Sequence, residues 1–166
     1  MHQNYHTEFL TGTIYNWEHL LKGDEYKQIV IDSFNWLVKN KKCTINAFVV
    51  MPNHFHLLWK ISDWFERKDV EGTLFSFTAH EFKRYLKKSD PFLLDKHFVN
   101  KSDRSFQFWE REPMVKECWT KKFFRQKLIT CILTLASLTG TWQAHQKNIN
   151  GHQQTFMKQE LKILIG

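Results

Sequence analysis

Residues 43–61, CTINAFVVMPNHFHLLWKI, carry the strongest fold signal in the chain. The β-branched and aromatic residues of 43–51 predict a strand, and 54–61 predict a second strand. Pro52-Asn53, between them, is typical of a turn. The three segments together predict a tight antiparallel hairpin in the middle of the domain.

The second strand of this hairpin contains a pair of histidines, His54 and His56, separated by Phe55. Because successive side chains of a strand point to opposite faces, the two imidazoles project side by side from one face. They can then bind one divalent cation without distorting the backbone. Most His-x-His pairs bind no metal, so an ordinary surface or partly buried pair is the alternative.

The segments around the hairpin predict further strands and helices. Asp24 is a plausible N-cap for the first predicted helix, whose apolar residues recur at helical spacing. The predicted elements are a strand at 8–16, helices at 25–39 and 69–88, a polar loop at 92–104, an extended piece at 106–109 and a basic helix at 121–128.

Composition excludes several classes of protein. The chain has 166 residues, 42% hydrophobic and 25% charged, which is enough for one domain with a core and unlike a disordered or collagen-like chain. No apolar run is long enough to span a bilayer, and the N-terminus lacks a basic-then-apolar signal pattern. The three cysteines form no CxxC pair, so we expect a reduced, cytoplasmic protein.

Charge and aromatic content favour a polyanionic partner. Lys and Arg number 24 against 17 Asp and Glu, and the aromatics include 15 Phe and 7 Trp. Positive charge attracts polyanions and exposed aromatics stack on unpaired bases, although many basic proteins bind neither. Trp59 and Trp109 are candidate stacking platforms, with core positions as the alternative. The candidate DNA-contacting cations form three clusters: Lys41 and Lys42; Arg84, Lys87 and Lys88; and Lys121, Lys122, Arg125 and Lys127.

The residues around the histidine pair resemble a known family. Residues 51–58, Met-Pro-Asn-His-Phe-His-Leu-Leu, look like the histidine–hydrophobic–histidine (HUH) signature of the IS200-like, REP-associated tyrosine transposases. The segments 80–83 and 106–111 agree with this resemblance, which covers residues 5–128. It implies an α+β fold with a central antiparallel sheet flanked by helices, of the RRM-like or ferredoxin-like type.

The resemblance also implies a reaction. Enzymes of this family cut single-stranded DNA beside hairpins: Mg²⁺ or Mn²⁺ polarises the scissile phosphate, and a tyrosine attacks it to form a 5′-phosphotyrosine. By resemblance, His54 and His56 would bind the metal, with Gln126 or Glu117 as a third ligand. The implied partners are single-stranded or hairpin DNA and a second copy of the chain, as a homodimer, with no membrane.

The nucleophile is where this chain departs from the family pattern. Family members carry the tyrosine on a late helix, whereas the last of the four tyrosines here is Tyr85. Tyr85 is therefore the candidate nucleophile, with an ordinary amphipathic helical tyrosine as the alternative. Three functions stay open: a tyrosine transposase, an inactive relative that only binds DNA, and a metal-dependent hydrolase that uses the same histidines and water.

The end of the chain has an unusual composition. Residues 129–166 contain five Gln, one acidic residue and no proline. The neighbouring reading frame of a back-translated 129–158 can encode strings that resemble the usual family C-terminus, tyrosine included. We therefore predict a transposase domain at 1–128 and an atypical tail at 129–166, altered by a single-base frameshift near Leu128, with much of 140–166 disordered.

Overall fold

The structure, a computed structural model, describes residues 6–139. Its helices and strands alternate along the chain. They are β1 (Glu8–Thr13), α1 (Asp24–Lys39), β2 (Cys43–Val50), β3 (His54–Ile61), α2 (Arg67–Ser89), α3 (Pro91–Asp95), β4 (Phe98–Lys101), β5 (Arg104–Phe106), β6 (Met114–Glu117) and α4 (Lys121–Thr139). Two short 3-10 helices, Tyr15–Trp17 and Leu20–Lys22, connect β1 to α1.

Four strands form one antiparallel sheet in the order β2-β3-β1-β6, and β4 and β5 form a separate hairpin. The predicted central hairpin is confirmed, because β2 and β3 pair directly and the amide of Met51 donates to the carbonyl of His54 at 2.8 Å. The α+β fold with a central antiparallel sheet flanked by helices is likewise confirmed.

Each face of the sheet is covered by different helices. On one face, α1 and α2 cover the fully buried side chains of Phe55, Leu57 and Trp59. On the other, α4 covers a smaller apolar cluster that includes Phe9 and Leu58. This two-layer burial explains why the central strands are apolar on both faces rather than alternating cleanly.

Contacts with distant segments change several predicted boundaries. The predicted loop 92–104 is wrong, because this stretch forms α3 and most of the β4–β5 hairpin. The first strand ends at Thr13 rather than at residue 16, because Asn16 has a φ of 55° and the chain turns there. Asp24 is not the N-cap: Gly23 holds that position, and the Asp24 carboxylate accepts a hydrogen bond from Lys27 Nζ at 2.8 Å instead.

Helix α4 runs without interruption through Leu128, the predicted end of the transposase domain. Phe124 packs against the sheet's apolar cluster before this position, and Cys131 and Ile132 are buried in it after this position, so the helix is anchored on both sides. The part of the predicted tail beyond residue 139 lies outside the described residues. No helix among residues 6–139 is both long and apolar enough to cross a membrane.

Candidate functional site

The histidine pair lies on β3, on the sheet face that α4 covers. The ring centroids of His54 and His56 are 5.0 Å apart, with the rings inclined at 72°. Both side chains are half-buried, and β1 places Thr13 and Thr11 opposite them. The predicted side-by-side projection from one face of the strand therefore occurs in the folded chain.

Hydrogen bonds orient both imidazoles. Nδ1 of His54 donates to Asn53 Oδ1 at 2.7 Å, so the lone pair of this neutral ring is on Nε2. Nδ1 of His56 shares a hydrogen bond of 2.8 Å with the hydroxyl of Thr11. Within residues 6–139, neither Nε2 has a hydrogen-bonding partner. A second group on Nδ1 that leaves Nε2 free is the usual arrangement of metal-binding histidines.

The environment of the pair favours neutral imidazoles. Burial lowers the pKa of His54 below its usual value. Burial, followed by the charges of His54 and Lys127, lowers the pKa of His56 to about 4. Both shifts favour the unprotonated imidazole, which is the state that can donate a lone pair to a cation or accept a hydrogen bond.

Lys127 of α4, one of the predicted DNA-contacting cations, lies near this pair. Its Nζ is 4.6 Å from the centroid of Phe9, and the Phe9 ring is in turn 4.9 Å from that of His56. The ammonium group also lies 5.2 Å from the Phe123 ring. A cation held by aromatic faces keeps its hydrogen-bond donors free for an anion.

Of the two predicted third ligands, Glu117 does not lie beside the pair. Glu117 of β6 pairs in register with Glu8, whose carboxylate accepts a hydrogen bond from Arg67 of α2 at 3.0 Å. Directly paired residues share a face, so Glu117 lies on the α1–α2 side, opposite to the histidines. Gln126 is exposed on α4. No group of three or more His, Cys, Asp or Glu side chains in the described part of the chain is arranged to bind a metal.

Tyr85 also lies on the wrong side of the sheet for a role at the histidine pair. It is on α2, 40% exposed, and its ring centroid is 5.4 Å from that of Tyr26 of α1. Helices α1 and α2 both cover the Phe55 face, whereas His54 and His56 point to the α4 face. The sheet therefore separates the Tyr85 hydroxyl from the imidazoles within one chain.

The three basic clusters do not form one continuous surface. Lys42 lies at the far end of β3, where its carbonyl accepts a hydrogen bond from Ser62 and its Nζ is 4.6 Å from the Phe65 ring. Arg84 forms an ion pair with Glu81 on α2. The α4 cluster is across the sheet from α2, so it is the one on the histidine face. Lys41, Lys87, Lys88, Lys121, Lys122 and Arg125 are exposed.

The structure also changes which aromatic residues are candidates for stacking on bases. Trp59 and Trp109 are buried, which excludes both as stacking platforms. Trp17 is 62% exposed and its ring centroid is 6.1 Å from that of His54. Trp17, Thr11 and Asn53 were not predicted as site residues, and among these only Asn53, next to the pair in the chain, had a local signal.

The fold is similar to that of two solved structures. The solved structure of a REP-associated tyrosine transposase bound to a REP hairpin matches 85% of this chain and 73% of its own, with a TM-score of 0.57 and 14% sequence identity. A candidate transposase from Deinococcus radiodurans R1 matches 80% of this chain and 92% of its own, with a TM-score of 0.50 and 16% identity. At these identities the likeness is one of fold. No protein-family model and no curated protein sequence matches this chain.

Proposed function

We propose that this protein is a relative of the IS200-like, REP-associated transposases that binds single-stranded or hairpin DNA at the histidine face of its sheet. The observation that carries the proposal is the oriented pair, His54 and His56, on a fold of the transposase class. One neighbour with this fold is bound to a REP hairpin, which makes hairpin DNA the first ligand to test.

The donor set of the pair suits a divalent cation such as Mg²⁺ or Mn²⁺. His54 and His56 would each supply Nε2, because Asn53 and Thr11 occupy the two Nδ1 atoms. When bound, such a cation would offset negative charge on the phosphoryl oxygens of DNA. Glu117 is no longer part of this proposal, since it lies on the opposite face of the sheet, whereas Gln126, exposed on α4, stays a proposed third ligand.

Lys127 would add positive charge at the same place. None of the ion pairs within residues 6–139 includes it, and it lies against Phe9 beside His56. A lysine ammonium is a compact point charge that binds phosphate oxygens, so we expect Lys127 to contact the DNA backbone next to the pair.

The proposal is for binding rather than for the phosphotyrosine reaction. A nucleophile must lie within hydrogen-bond reach of the reacting phosphate, and Tyr85 lies across the sheet from the pair. Tyr26 is on the same side as Tyr85, buried against α2. Tyr5 is outside the described residues.

The test is binding and cleavage of a fluorescent hairpin oligonucleotide with single-stranded flanks, with and without Mn²⁺. We expect Mn²⁺ to tighten binding and His54→Ala to abolish the Mn²⁺ effect. His80→Ala, a change of an exposed histidine on α2, is the matched control and should leave that effect intact. We expect no denaturant-resistant DNA adduct.

Three results would overturn the proposal. No binding at low salt would exclude the DNA ligand. An adduct that disappears in Tyr85→Phe would establish tyrosine chemistry. Mn²⁺-dependent cleavage without an adduct, lost in His54→Ala, would favour the metal-dependent hydrolase that uses water.

We also propose a homodimer, which is what the family resemblance implies. In this structure α4 packs on the sheet of its own chain, through Leu128 and Cys131 against Leu58. Light scattering on the purified chain tests the proposal, and a mass of one chain at all concentrations would refute it.

A further inference from the structure

A second feature of the histidine face lies where β6 ends and α4 begins. A cavity of about 420 Å³ opens there to solvent. It is lined by Thr7, Cys118, Trp119, Thr120, Lys121, Phe124 and Arg125. Two contacts hold lining residues in place: the amide of Cys118 donates to the carbonyl of Thr7 at 2.7 Å, and Phe124 packs against the apolar cluster under α4.

Trp119 presents an aromatic face at this cavity. Its side chain is 68% exposed, and its ring centroid is 4.3 Å from that of the exposed His6. Because burial of apolar area is what lets a side chain stabilise the fold, an indole this exposed contributes little to the free energy of folding. A flat aromatic surface of this kind is what an unpaired nucleobase stacks on.

The cations next to Trp119 add a site for phosphate. Lys121 and Arg125 are four residues apart on α4, so they lie on the same side of the helix. Both are exposed, and neither belongs to an ion pair within residues 6–139. Arg125 has a planar guanidinium that suits phosphate oxygens in particular.

The charges at the N-terminal end of α4 also favour the binding of an anion. The first turn of α4 contains no acidic residue but carries Lys121 and Lys122, so its charge opposes the helix dipole. Thr120 Oγ1 accepts from the amide of Phe123 at 3.1 Å and caps this end. A phosphodiester beside Lys121 and Arg125 would offset this unfavourable charge.

We propose that this cavity binds one nucleotide of single-stranded DNA, with the base stacked on Trp119 and the phosphate held by Lys121 and Arg125. The inference rests on the proposed function and extends it, because it defines a second contact for the same strand. Lys121 and Lys127 are six residues apart, or about 9 Å along the helix, so one strand reaches both this cavity and the histidine pair.

The experiment measures binding of a labelled oligothymidine and of a blunt hairpin, with a fully paired stem closed by a non-nucleotide linker, to the full chain by fluorescence anisotropy. Stacking of one base predicts that Trp119→Ala weakens oligothymidine binding about tenfold or more and leaves the blunt hairpin unchanged. Trp119→Phe keeps an aromatic face and should retain most of the affinity. Trp64→Ala, at another exposed tryptophan (78%), is the matched control.

The salt dependence of the binding affinity tests the phosphate contact separately. Removing the charge in Arg125→Gln should lower the slope of log affinity against log salt by about 0.7, the value for one phosphate of a single strand. Arg84→Gln, on the other side of the sheet, should not change this slope.

The outcomes separate this proposal from the broader one. Wild-type binding that Trp119→Ala leaves unchanged overturns the nucleotide site and leaves the proposed function standing. No binding of either probe overturns both. A Trp119-dependent preference for oligouridine over oligothymidine would mean that the ligand is RNA, against the proposal.

Discussion

Gly12 of β1 offers the sharpest test of how the two faces of the sheet are linked. A Cβ at this position would lie 2.6 Å from Cζ of Phe55 and 2.9 Å from Cε1 of Phe75, both below any normal contact. Phe55 is the residue between the two histidines, and it is fully buried on the opposite face. The methyl group introduced by Gly12→Ala would therefore clash with the strand that carries the histidine pair.

The expected cost follows from how firmly the Phe55 ring is held. Phe34 and Trp109 contact it edge-on, with centroids at 5.3 and 5.4 Å, so the ring has no space to move away. Overpacking of this kind costs about 1–3 kcal/mol. Replacing glycine by alanine in a strand returns about 0.5–1 kcal/mol of backbone entropy, so we expect a net loss of about 1 kcal/mol.

A double-mutant cycle isolates the contact. Phe55→Leu removes the ring atoms that Gly12→Ala would strike, at a cost of about 0.8 kcal/mol for each carbon lost from the core. In that background Gly12→Ala should meet almost no steric cost, because the Phe75 ring is only partly buried and can rotate away, so that only the backbone-entropy gain of about 0.5–1 kcal/mol remains. The coupling free energy between the two changes should therefore be about 2 kcal/mol.

Urea denaturation followed by circular dichroism measures the four free energies of unfolding. Gly72→Ala is the matched control, because a Cβ at Gly72 in α2 meets no atom within 4 Å and should stabilise the helix by about 0.5–1 kcal/mol. Equal costs of Gly12→Ala in the Phe55 and Leu backgrounds would refute the reasoning, as would a Gly12→Ala variant as stable as the wild type.

Three further predictions concern the histidines. Thr11→Val removes the hydroxyl from Nδ1 of His56 and should weaken Mn²⁺ binding about tenfold by electron paramagnetic resonance, whereas Thr44→Val, an exposed change on the same sheet, should not. Lys127→Met removes a positive charge and should raise the pKa of His56 from about 4 in a proton NMR titration; an unchanged value would contradict the position of α4 on the sheet. Burial lowers the pKa of His97 below 6.5 in the folded chain. As pH falls below that value, the unfolded chain therefore binds a proton at this residue that the folded chain does not yet bind. The free energy of unfolding should then drop by up to about 1.4 kcal/mol per pH unit until the folded-state pKa is reached, and the drop should be shallower in His97→Gln if the reasoning holds.

Much of the local structure could be predicted from the sequence. The strand His54–Ile61 was predicted with the same bounds, and the helices of α1 and α2 to within two residues at each end. The reason is that strand and helix periodicities are properties of neighbouring residues, which the chain displays directly. Strand β6 was not predicted because it is four residues long and its only partner among the described strands is β1, more than 100 positions earlier in the chain.

In the candidate site, too, some features follow from the sequence alone and others from the tertiary structure. The sequence alone determined that His54 and His56 share a face, because alternation along a strand leaves no other arrangement, and that Tyr85 is the last tyrosine in the chain. Tertiary structure decided the rest: Thr11 reaches His56 across 45 residues, while Glu117 and Tyr85 lie on the far side of the sheet. The physical reason is that the face of a sheet that a residue occupies depends on register and on helix placement, and both are set by contacts between segments far apart in the chain.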